Sequence, residues 1–166
     1  MKLKNETLSK NFLIYGFGKS GISSLKYLKK KNRCFIFDDD KKKIKNKYKK
    51  FFISKSKLLN NNFDYIVISP GININRCQLS NYLKKNQKKV ITDFDIFYKF
   101  NPEVLTITIT GTNGKSTTSK LLYDILKKHH YDTRLTGNIG NPILEEKRVT
   151  KNSIFVIEAS SYQLAY

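Results

Sequence analysis

The sequence predicts an α/β fold with parallel sheets, and three observations support that class. Short apolar runs, such as 12–17, 34–37 and 154–157, alternate with longer stretches of helical periodicity. Two of the apolar runs end in glycine-rich loops that lead directly into a helical stretch. The pattern then restarts after Asn101-Pro102, a dipeptide typical of a break between elements. Because strands that alternate with helices favour right-handed parallel crossovers, we expect two α/β units.

The first unit is expected to cover residues 1–101, and each of its elements has its own signal. Compact apolar runs indicate strands, because a parallel strand is buried on both faces. Helical stretches carry apolar residues three or four apart, as Ile22, Leu25 and Leu28 do. The mostly basic stretch 41–50 is predicted to be a solvated face or loop. Strands are therefore predicted at 12–17, 34–37, 63–69 and 89–91, and helices at 20–31, 79–86 and 93–100.

The second unit is expected to cover residues 102–166. A β-branched run at 104–110 predicts a strand, and 114–130 predicts a long amphipathic helix. Two further strands are expected at 133–136 and 154–157. This is a small core for an independent domain.

Composition argues for a folded protein whose positive charge is spread over its surface. Hydrophobic residues make up 39% of the 166 residues, which excludes an intrinsically disordered chain. The formal net charge of +19 would favour a nucleic-acid partner, but only four of the 32 basic residues are arginine, the usual reader of bases and phosphates. Nucleic-acid binding is therefore a minor alternative, and we expect no nucleic-acid partner and a monomer.

Cysteine usage and hydropathy indicate a cytoplasmic protein. Cys34 and Cys77 are far apart and belong to no C-x-x-C motif, so both are predicted to be reduced thiols. Residues 1–10 are polar, unlike a secretory signal. Because no apolar run approaches the roughly 18 residues of a membrane span, we expect no membrane partner.

A first glycine-rich loop follows the first predicted strand and fits the pattern G-x-G-x-x-G. Asp38 follows 22 residues after the first glycine, at the end of the next predicted strand. Glycines let the backbone approach a diphosphate, and an acidic residue at that position can accept hydrogen bonds from a ribose or base. The loop alone leaves three alternatives open: a plain tight turn, an NAD-dependent oxidoreductase, or another nucleotide diphosphate site. Its residues are Gly16, Phe17, Gly18, Lys19, Ser20 and Gly21.

A second loop follows the β-branched strand and opens the long helix, the position of a phosphate-binding loop. It matches G-K-[ST] at its end but lacks the first glycine of the general pattern, since Ile109 stands there. Lys115 can neutralise phosphate charge and the Ser116 hydroxyl can ligate Mg²⁺. The loop is therefore predicted to bind the phosphates of a nucleotide, and the alternative is a Gly-Lys turn on the surface. Its residues are Gly111, Thr112, Asn113, Gly114, Lys115, Ser116 and Thr117.

A carboxylate follows the strongly apolar run 154–157. Glu158 stands at the carboxyl end of that predicted strand, the edge at which α/β sheets bind ligands. A carboxylate there could hold Mg²⁺ together with Ser116, directly or through water. The alternative is an ordinary surface carboxylate at a strand end.

At this point five segments carry a resemblance to a known family. The loop 111–117 resembles the ATP loop of the Mur ligases and of folylpolyglutamate synthase, a variant that also lacks the first glycine. Four more segments, in the same order and spacing, narrow the resemblance to the Mur ligases that add D-glutamate. These are Gly16–Gly21, Ser69-Pro70-Gly71-Ile72, Gly137-Asn138-Ile139-Gly140-Asn141-Pro142 and Glu158-Ala159-Ser160-Ser161-Tyr162-Gln163-Leu164.

The resemblance implies a Rossmann-like domain followed by the first part of a P-loop-type ATPase domain. It also implies the ligands ATP, Mg²⁺, UDP-N-acetylmuramoyl-L-alanine and D-glutamate. The loop 16–21 would hold the UDP diphosphate, Asp38 would lie near the uridine, and Ser69, Pro70 and Gly71 would line the same substrate. By the same resemblance Lys115 and Asn138 are catalytic, Ser160 contacts the muramoyl substrate, and Ser116 and Glu158 hold the metal.

Two departures from the family qualify these expectations. The family usually offers Thr-Arg after the acidic residue, whereas Asp39 and Asp40 stand here, and Lys41–Lys43 could compensate. Members of the family also have three domains and are much longer. We therefore expect the chain to be inactive in ligation by itself, with a non-catalytic UDP-sugar or nucleotide-binding module as the alternative function.

Overall fold

The computed structural model describes residues 9–40 and 44–160, and the chain divides into two compact units. The first unit is Met1–Asp93 and the second is Phe94–Tyr166. The division thus falls near residue 93 rather than at the expected 101. The reason is packing within the second unit, where the ring of Phe97 lies 4.6 Å from that of Phe155.

The first unit is built on a four-stranded parallel sheet. Its strands are β1 (Asn11–Tyr15), β2 (Arg33–Phe37), β3 (Tyr65–Ile68) and β4 (Val90–Ile91), in the order β2-β1-β3-β4. Tyr15 at the end of β1 is paired with Phe37 on one side and Ile68 on the other. The strands β1, β2 and β3 therefore end together, and the segments that follow them share one edge of the sheet.

Helices and core of the first unit follow the hydrophobic pattern. Helix α1 (Lys19–Leu28) buries Leu25 and Leu28, the face predicted from their spacing. Two shorter helices, α2 (Lys55–Leu59) and α3 (Ser80–Lys85), bury Leu58 and Leu83 in the main core cluster. This cluster joins the strands to the segments around them. It contains Leu13, Tyr15, Phe37, Ile53, Leu58, Phe63, Ile66, Ile68, Leu79 and Leu83.

Residues 44–50 belong to the basic stretch that was predicted to be a solvated face or loop. A 3₁₀ helix spans Asn46–Phe51 and buries Tyr48, and Ile44 is buried as well. Two apolar side chains four residues apart thus anchor the segment, while the lysines at 45, 47, 49 and 50 remain exposed. The lysines thus form the solvated face that was predicted for this stretch, whereas the short 3₁₀ helix was not predicted, because the charge run obscured its apolar spacing.

The second unit has a three-stranded parallel sheet. Strands β5 (Leu105–Ile109), β6 (Thr133–Gly137) and β7 (Ile154–Glu158) lie in the order β5-β7-β6. Ile109, Glu158 and Gly137 stand side by side in the register, so the ends of all three strands meet at one edge. The unit also contains most of α4 (Asp93–Phe100) and the 14-residue helix α5 (Lys115–Lys128).

Several large apolar side chains of the second unit remain exposed in the described residues. Within the described residues no strand pairs with the outer edge of β5. Leu105 on that strand is 56% exposed, and Leu121 and Ile125 on α5 are 59% and 48% exposed. Such exposure is unusual for a unit built on a parallel sheet, because both faces of a parallel sheet are normally buried under helices.

The predicted fold class, an α/β architecture with parallel sheets, is confirmed. The sequence predicted each strand that the structure describes, and it predicted the helices α1, α3, α4 and α5, all to within a few residues. The short helix α2 was not predicted. None of the helices in the described part of the chain is long and apolar enough to cross a membrane.

Candidate nucleotide and metal sites

The first glycine loop is held tightly by the segment that follows β3. Gly16 has φ of +90°, and a Cβ built on it would lie 2.7 Å from the Cβ of Ser69. The Ser69 hydroxyl donates a hydrogen bond of 2.6 Å to the Gly16 carbonyl, and the Gly16 amide donates to the carbonyl of Phe37. The structure therefore brings together two of the predicted substrate segments, 16–21 and 69–71.

A second glycine of this loop is required by packing. A Cβ on Gly21 would lie 2.1 Å from the Gly16 carbonyl oxygen, well inside van der Waals contact. Helix α1 can start as close to β1 as it does only because residue 21 lacks a side chain.

At two other positions, packing within the protein does not require glycine. A methyl group added to Gly18 or to Gly71 would meet no atom within 4 Å from the described residues beyond its own chain neighbours, and neither glycine has positive φ. Gly18 lies at the N-cap of α1 and is exposed, as is Lys19 beside it. The amides of the first helical turn have no intrahelical acceptor, and a helix N-terminus favours anions. Open space in front of these glycines leaves room for a phosphate group to approach the backbone.

Asp38 supports the loop, a role that the sequence did not indicate. The residue is buried, and its carboxylate accepts hydrogen bonds from the amides of Phe17 at 2.6 Å and Asp40 at 2.9 Å. Each carboxylate oxygen thus holds one neighbouring segment, so Asp38 fixes the shape of the loop directly. The uridine contact expected of Asp38 stays a prediction.

The residue after Asp38 is held by a buried tyrosine. The Tyr15 hydroxyl donates a 2.7 Å hydrogen bond to the carboxylate of Asp39, and burial together with this bond raises the pKa of Tyr15. Asp39 is therefore oriented at the sheet edge, where the family usually has threonine. Lys41–Lys43, suggested as compensating residues, lie outside the described residues.

Ser20 is engaged with the end of the first unit. Its hydroxyl donates a 2.6 Å hydrogen bond to the carboxylate of Asp93, which is buried. Ser20 was predicted to bind substrate, and in this structure its side chain ties the start of α1 to residue 93. The backbone amide of Ser20 belongs to the first turn of α1 and lies with the anion-favouring end of that helix.

The second loop has the backbone shape of a phosphate-binding loop. Gly111 has φ of +145° and Gly114 has φ of +76°, values that favour glycine. The ammonium of Lys115 donates to the carbonyl oxygens of Gly111 at 2.7 Å and Thr112 at 3.2 Å. The cation thus lies over the loop. Residues 111–114, 116 and 117 are exposed, so the predicted ATP-binding residues form one accessible surface at the start of α5.

Glu158 is a buried carboxylate with an unused oxygen. It is 4% exposed, and its Oε2 accepts no hydrogen bond from any described residue. Leaving a buried charged oxygen unpaired costs free energy, so such an atom indicates a missing partner. Because Glu158 pairs with Ile109, two residues before the loop 111–117, it stands at the same sheet edge as the start of that loop.

The donor set fits Mg²⁺. A carboxylate oxygen and a serine hydroxyl are both oxygen ligands, and Mg²⁺ usually takes one or two protein ligands plus waters and phosphates. Among residues 9–40 and 44–160 there is no group of three or more His, Cys, Asp or Glu that would make a closed metal cage. Ser116 and Glu158 stay the predicted ligands of Mg²⁺.

The loop after β6 is locked against Glu158. The Asn138 amide donates a 3.0 Å hydrogen bond to the Glu158 carbonyl, and a Cβ on Gly137 would lie 2.1 Å from that same oxygen. Asn138 is exposed at the sheet edge. The strand before it, β6, is separated from β5 by β7. Ser160 lies just beyond β7, while 161–164 of the quoted family segment lie outside the described residues.

Comparison with known proteins finds similarity to one family. Residues 109–165 match the Mur ligase middle domain. Over 158 residues the chain is 34% identical to UDP-N-acetylmuramoylalanine--D-glutamate ligase of Rickettsia bellii, covering 93% of this chain and 34% of the relative. The chain is similar to members of the Mur ligase family along most of its length.

Further Mur ligases show the same similarity. The D-glutamate ligase of Caldicellulosiruptor saccharolyticus is 34% identical, with 96% of this chain and 38% of that relative covered. The chain thus spans slightly more than a third of the length of these curated relatives. A solved structure, the UDP-N-acetylmuramate:L-alanyl-gamma-D-glutamyl-meso-diaminopimelate ligase from Neisseria meningitides, superposes with a TM-score of 0.51 at 14% identity. The match covers 91% of this chain and 52% of that one, a likeness that shows the fold alone.

Proposed function

We propose that this chain supplies the UDP-substrate and ATP sites of a ligase that adds D-glutamate to UDP-N-acetylmuramoyl-L-alanine. The observation that carries the proposal is the buried Glu158 carboxylate beside the strand that leads into the loop 111–117, with one oxygen that accepts no hydrogen bond from the described residues. Relatives that carry the name of this activity match the chain along most of its length. Similarity to this family supports an ATP-dependent ligase, and the D-glutamate specificity is part of the proposal.

The proposed reaction is a phosphoryl transfer followed by amide formation. A substrate carboxylate attacks the γ-phosphate of ATP, ADP leaves, and the resulting acyl phosphate is attacked by the amine of D-glutamate, which displaces phosphate and loses a proton. Catalysis of this kind depends on positioning and on neutralising phosphate charge. Lys115 would supply one positive charge, and the amides of 111–115 would bind phosphate oxygens.

The other groups have positioning roles in this proposal. Ser116 and Glu158 would hold Mg²⁺, which when bound neutralises charge on the β- and γ-phosphates. Asn138 would contact the muramoyl substrate near its reacting end. The open surface at Gly18 and Gly71 would take the UDP diphosphate, and Asp38 would keep that surface in shape.

Binding measurements on the chain test the proposal without requiring turnover. Isothermal calorimetry should show one site for UDP-N-acetylmuramoyl-L-alanine and a separate site for Mg²⁺-ATP. Absence of both signals from the folded protein would overturn the proposal.

A second candidate is a binding module without ligase activity. It is supported by the first unit, which has its own four-stranded sheet and its own core cluster. In that case the UDP substrate binds and Mg²⁺-ATP does not. Complementation separates the two candidates further: addition of the C-terminal two thirds of the Rickettsia bellii relative should give substrate-dependent phosphate release only if the chain is a working part of a ligase.

Gly18→Ala should weaken binding of the UDP substrate about tenfold or more without unfolding the first unit. The added methyl meets no atom of the described residues beyond its own chain neighbours, so the thermal midpoint should stay nearly the same. The methyl would instead occupy the space through which a diphosphate approaches the start of α1. Calorimetry measures the affinity and circular dichroism the stability. An unchanged affinity for the UDP substrate would show that the diphosphate does not bind at this loop.

Glu158→Gln should weaken the Mg²⁺ dependence of nucleotide binding. The amide is nearly the same size but neutral, so it is a poor ligand for a hard cation. We expect ATP affinity in saturating Mg²⁺ to fall about tenfold, and affinity in EDTA to stay within about twofold. A titration with a fluorescent ATP analogue checks both conditions. Equal losses with and without Mg²⁺ would contradict a metal role for Glu158.

A further inference from the structure

A carboxylate behind the loop 137–142 joins that loop to strand β6. Glu146 accepts a 3.0 Å hydrogen bond from the side-chain amide of Asn141 and lies 3.2 Å from Nε of Arg134 in an ion pair. The Glu146 side chain is 10% exposed and that of Arg134 is 22% exposed. The pair is therefore shielded from water more than a typical surface ion pair. Its attraction is weakened less by solvent than that of an exposed pair.

Arg134 is itself fixed at the start of the sheet. It forms an ion pair with Asp132, whose other carboxylate oxygen accepts a 2.6 Å hydrogen bond from the Ser153 hydroxyl. The hydrogen bond from Ser153 and the pairing with Arg134 lower the pKa of Asp132. Because Ser153 directly precedes β7, Arg134 is braced against two strands. The ion pair between Glu146 and Arg134 therefore joins Glu146 to a firmly held part of the second unit.

Backbone contacts also bring the loop 137–142 back toward β6. The Asn141 amide donates a 3.1 Å hydrogen bond to the Leu135 carbonyl, and Gly140 has φ of +77° with no room for a Cβ. Behind this turn lies a cavity of about 300 Å³, which Gly140 and Asn141 line together with Glu146. On the cavity side, the Asn141 side chain is held by its hydrogen bond to Glu146.

We propose that Glu146 is a positioning residue that sets the place of Asn138 by clamping the other end of the loop to Arg134. This inference rests on the proposed role of Asn138 in binding the muramoyl substrate. Asn138 and Asn141 stand at the two ends of one short turn. The first is held to Glu158 by its backbone and the second to Glu146 by its side chain. Removal of the second anchor leaves the turn attached through backbone bonds only.

Hydrogen exchange and ligand binding test the inference together. In Glu146→Ala, mass spectrometry should show amide exchange across 138–141 at least about tenfold faster than in the unmodified chain. Affinity for UDP-N-acetylmuramoyl-L-alanine should fall about tenfold, while Mg²⁺-ATP affinity stays within about twofold. Asn141→Ala removes the same side-chain bond from the loop side and should reproduce the exchange result. Glu103→Ala, the loss of an exposed carboxylate elsewhere in the second unit, is the control and should change neither quantity.

The outcomes separate this inference from the proposed function. Unchanged exchange in both Glu146→Ala and Asn141→Ala would overturn the clamp. Equal losses of both ligands would also overturn it, because a general structural defect would disturb the phosphate loop on the same sheet. Failure of the unmodified chain to bind the UDP substrate would refute the proposed function. In that case the exchange data would still decide whether Glu146 holds the loop.

Discussion

Lys115→Ala is expected to reduce the affinity for Mg²⁺-ATP at least about a hundredfold. The ammonium lies over the phosphate loop, within hydrogen-bond distance of the Gly111 and Thr112 carbonyls, where it can reach a bound triphosphate. Its loss leaves phosphate charge uncompensated at a site shaped to hold it, an effect of several kcal/mol in comparable electrostatic sites. Titration with Mg²⁺-ATP followed by calorimetry measures the change. In a complemented, active ligase the same substitution should abolish turnover.

Lys120→Ala is the matched control for this experiment. Lys120 lies on the same helix, and its ammonium pairs with Asp124 four residues later on the surface. The two substitutions remove the same charge from α5, so they affect long-range attraction of an anionic nucleotide similarly. Of the two lysines, only Lys115 is at the loop. Comparable losses in the two variants would mean that diffuse charge, and not the phosphate loop, attracts the nucleotide.

Gly137→Ala is expected to lower the free energy of unfolding of the second unit by about 3 kcal/mol or more. The residue has φ of +105°, and a Cβ would lie 2.1 Å from the carbonyl oxygen of Glu158. That oxygen also accepts the Asn138 amide, so the backbone cannot move aside without breaking a bond at the end of β6. Thermal unfolding followed by circular dichroism measures the loss, and hydrogen exchange locates it in residues 94–160.

Gly114→Ala separates the two causes of the stability loss expected for Gly137→Ala, which are the positive φ and the close approach to the Glu158 carbonyl oxygen. Gly114 also has positive φ, +76°, but no atom of the described residues beyond its own chain neighbours lies within 4 Å of its added methyl. The variant should therefore show only the cost of a left-handed backbone, about 1 kcal/mol. If the two alanine variants were equally destabilised, the close approach of Gly137 to Glu158 would not be the cause.

The elements that local pattern determines were predictable from the sequence. Periodicity located the strands and the long helix α5, and glycine spacing located both loops at strand–helix junctions. The position of Glu158 at a strand end followed from the apolar run before it. In each case the signal lies within about twenty residues of the feature, because pleat, helical repeat and turn chemistry act locally.

The contacts that shape the candidate sites were not predictable in the same way. Asp38 was singled out as a ligand contact, yet its carboxylate binds the amides of Phe17 and Asp40. The bond from Ser20 to Asp93 joins residues far apart in sequence, and the link from Glu146 to Arg134 depends on how a loop folds back. Side-chain partners of this kind are set by tertiary packing, for which a single sequence carries no periodic signal.

The exposed apolar side chains of β5 and α5 have a consequence for how the protein behaves in concentrated solution. Within residues 94–160 the outer edge of β5 is unpaired and several leucine and isoleucine side chains are exposed, and both features favour addition of another copy or of an extended chain. A net charge of +19 opposes such encounters through mutual repulsion. Repulsion of that kind acts over only about 8 Å at physiological ionic strength and shortens as salt is added. Colloidal stability in this molecule thus depends on its lysines rather than on a closed surface.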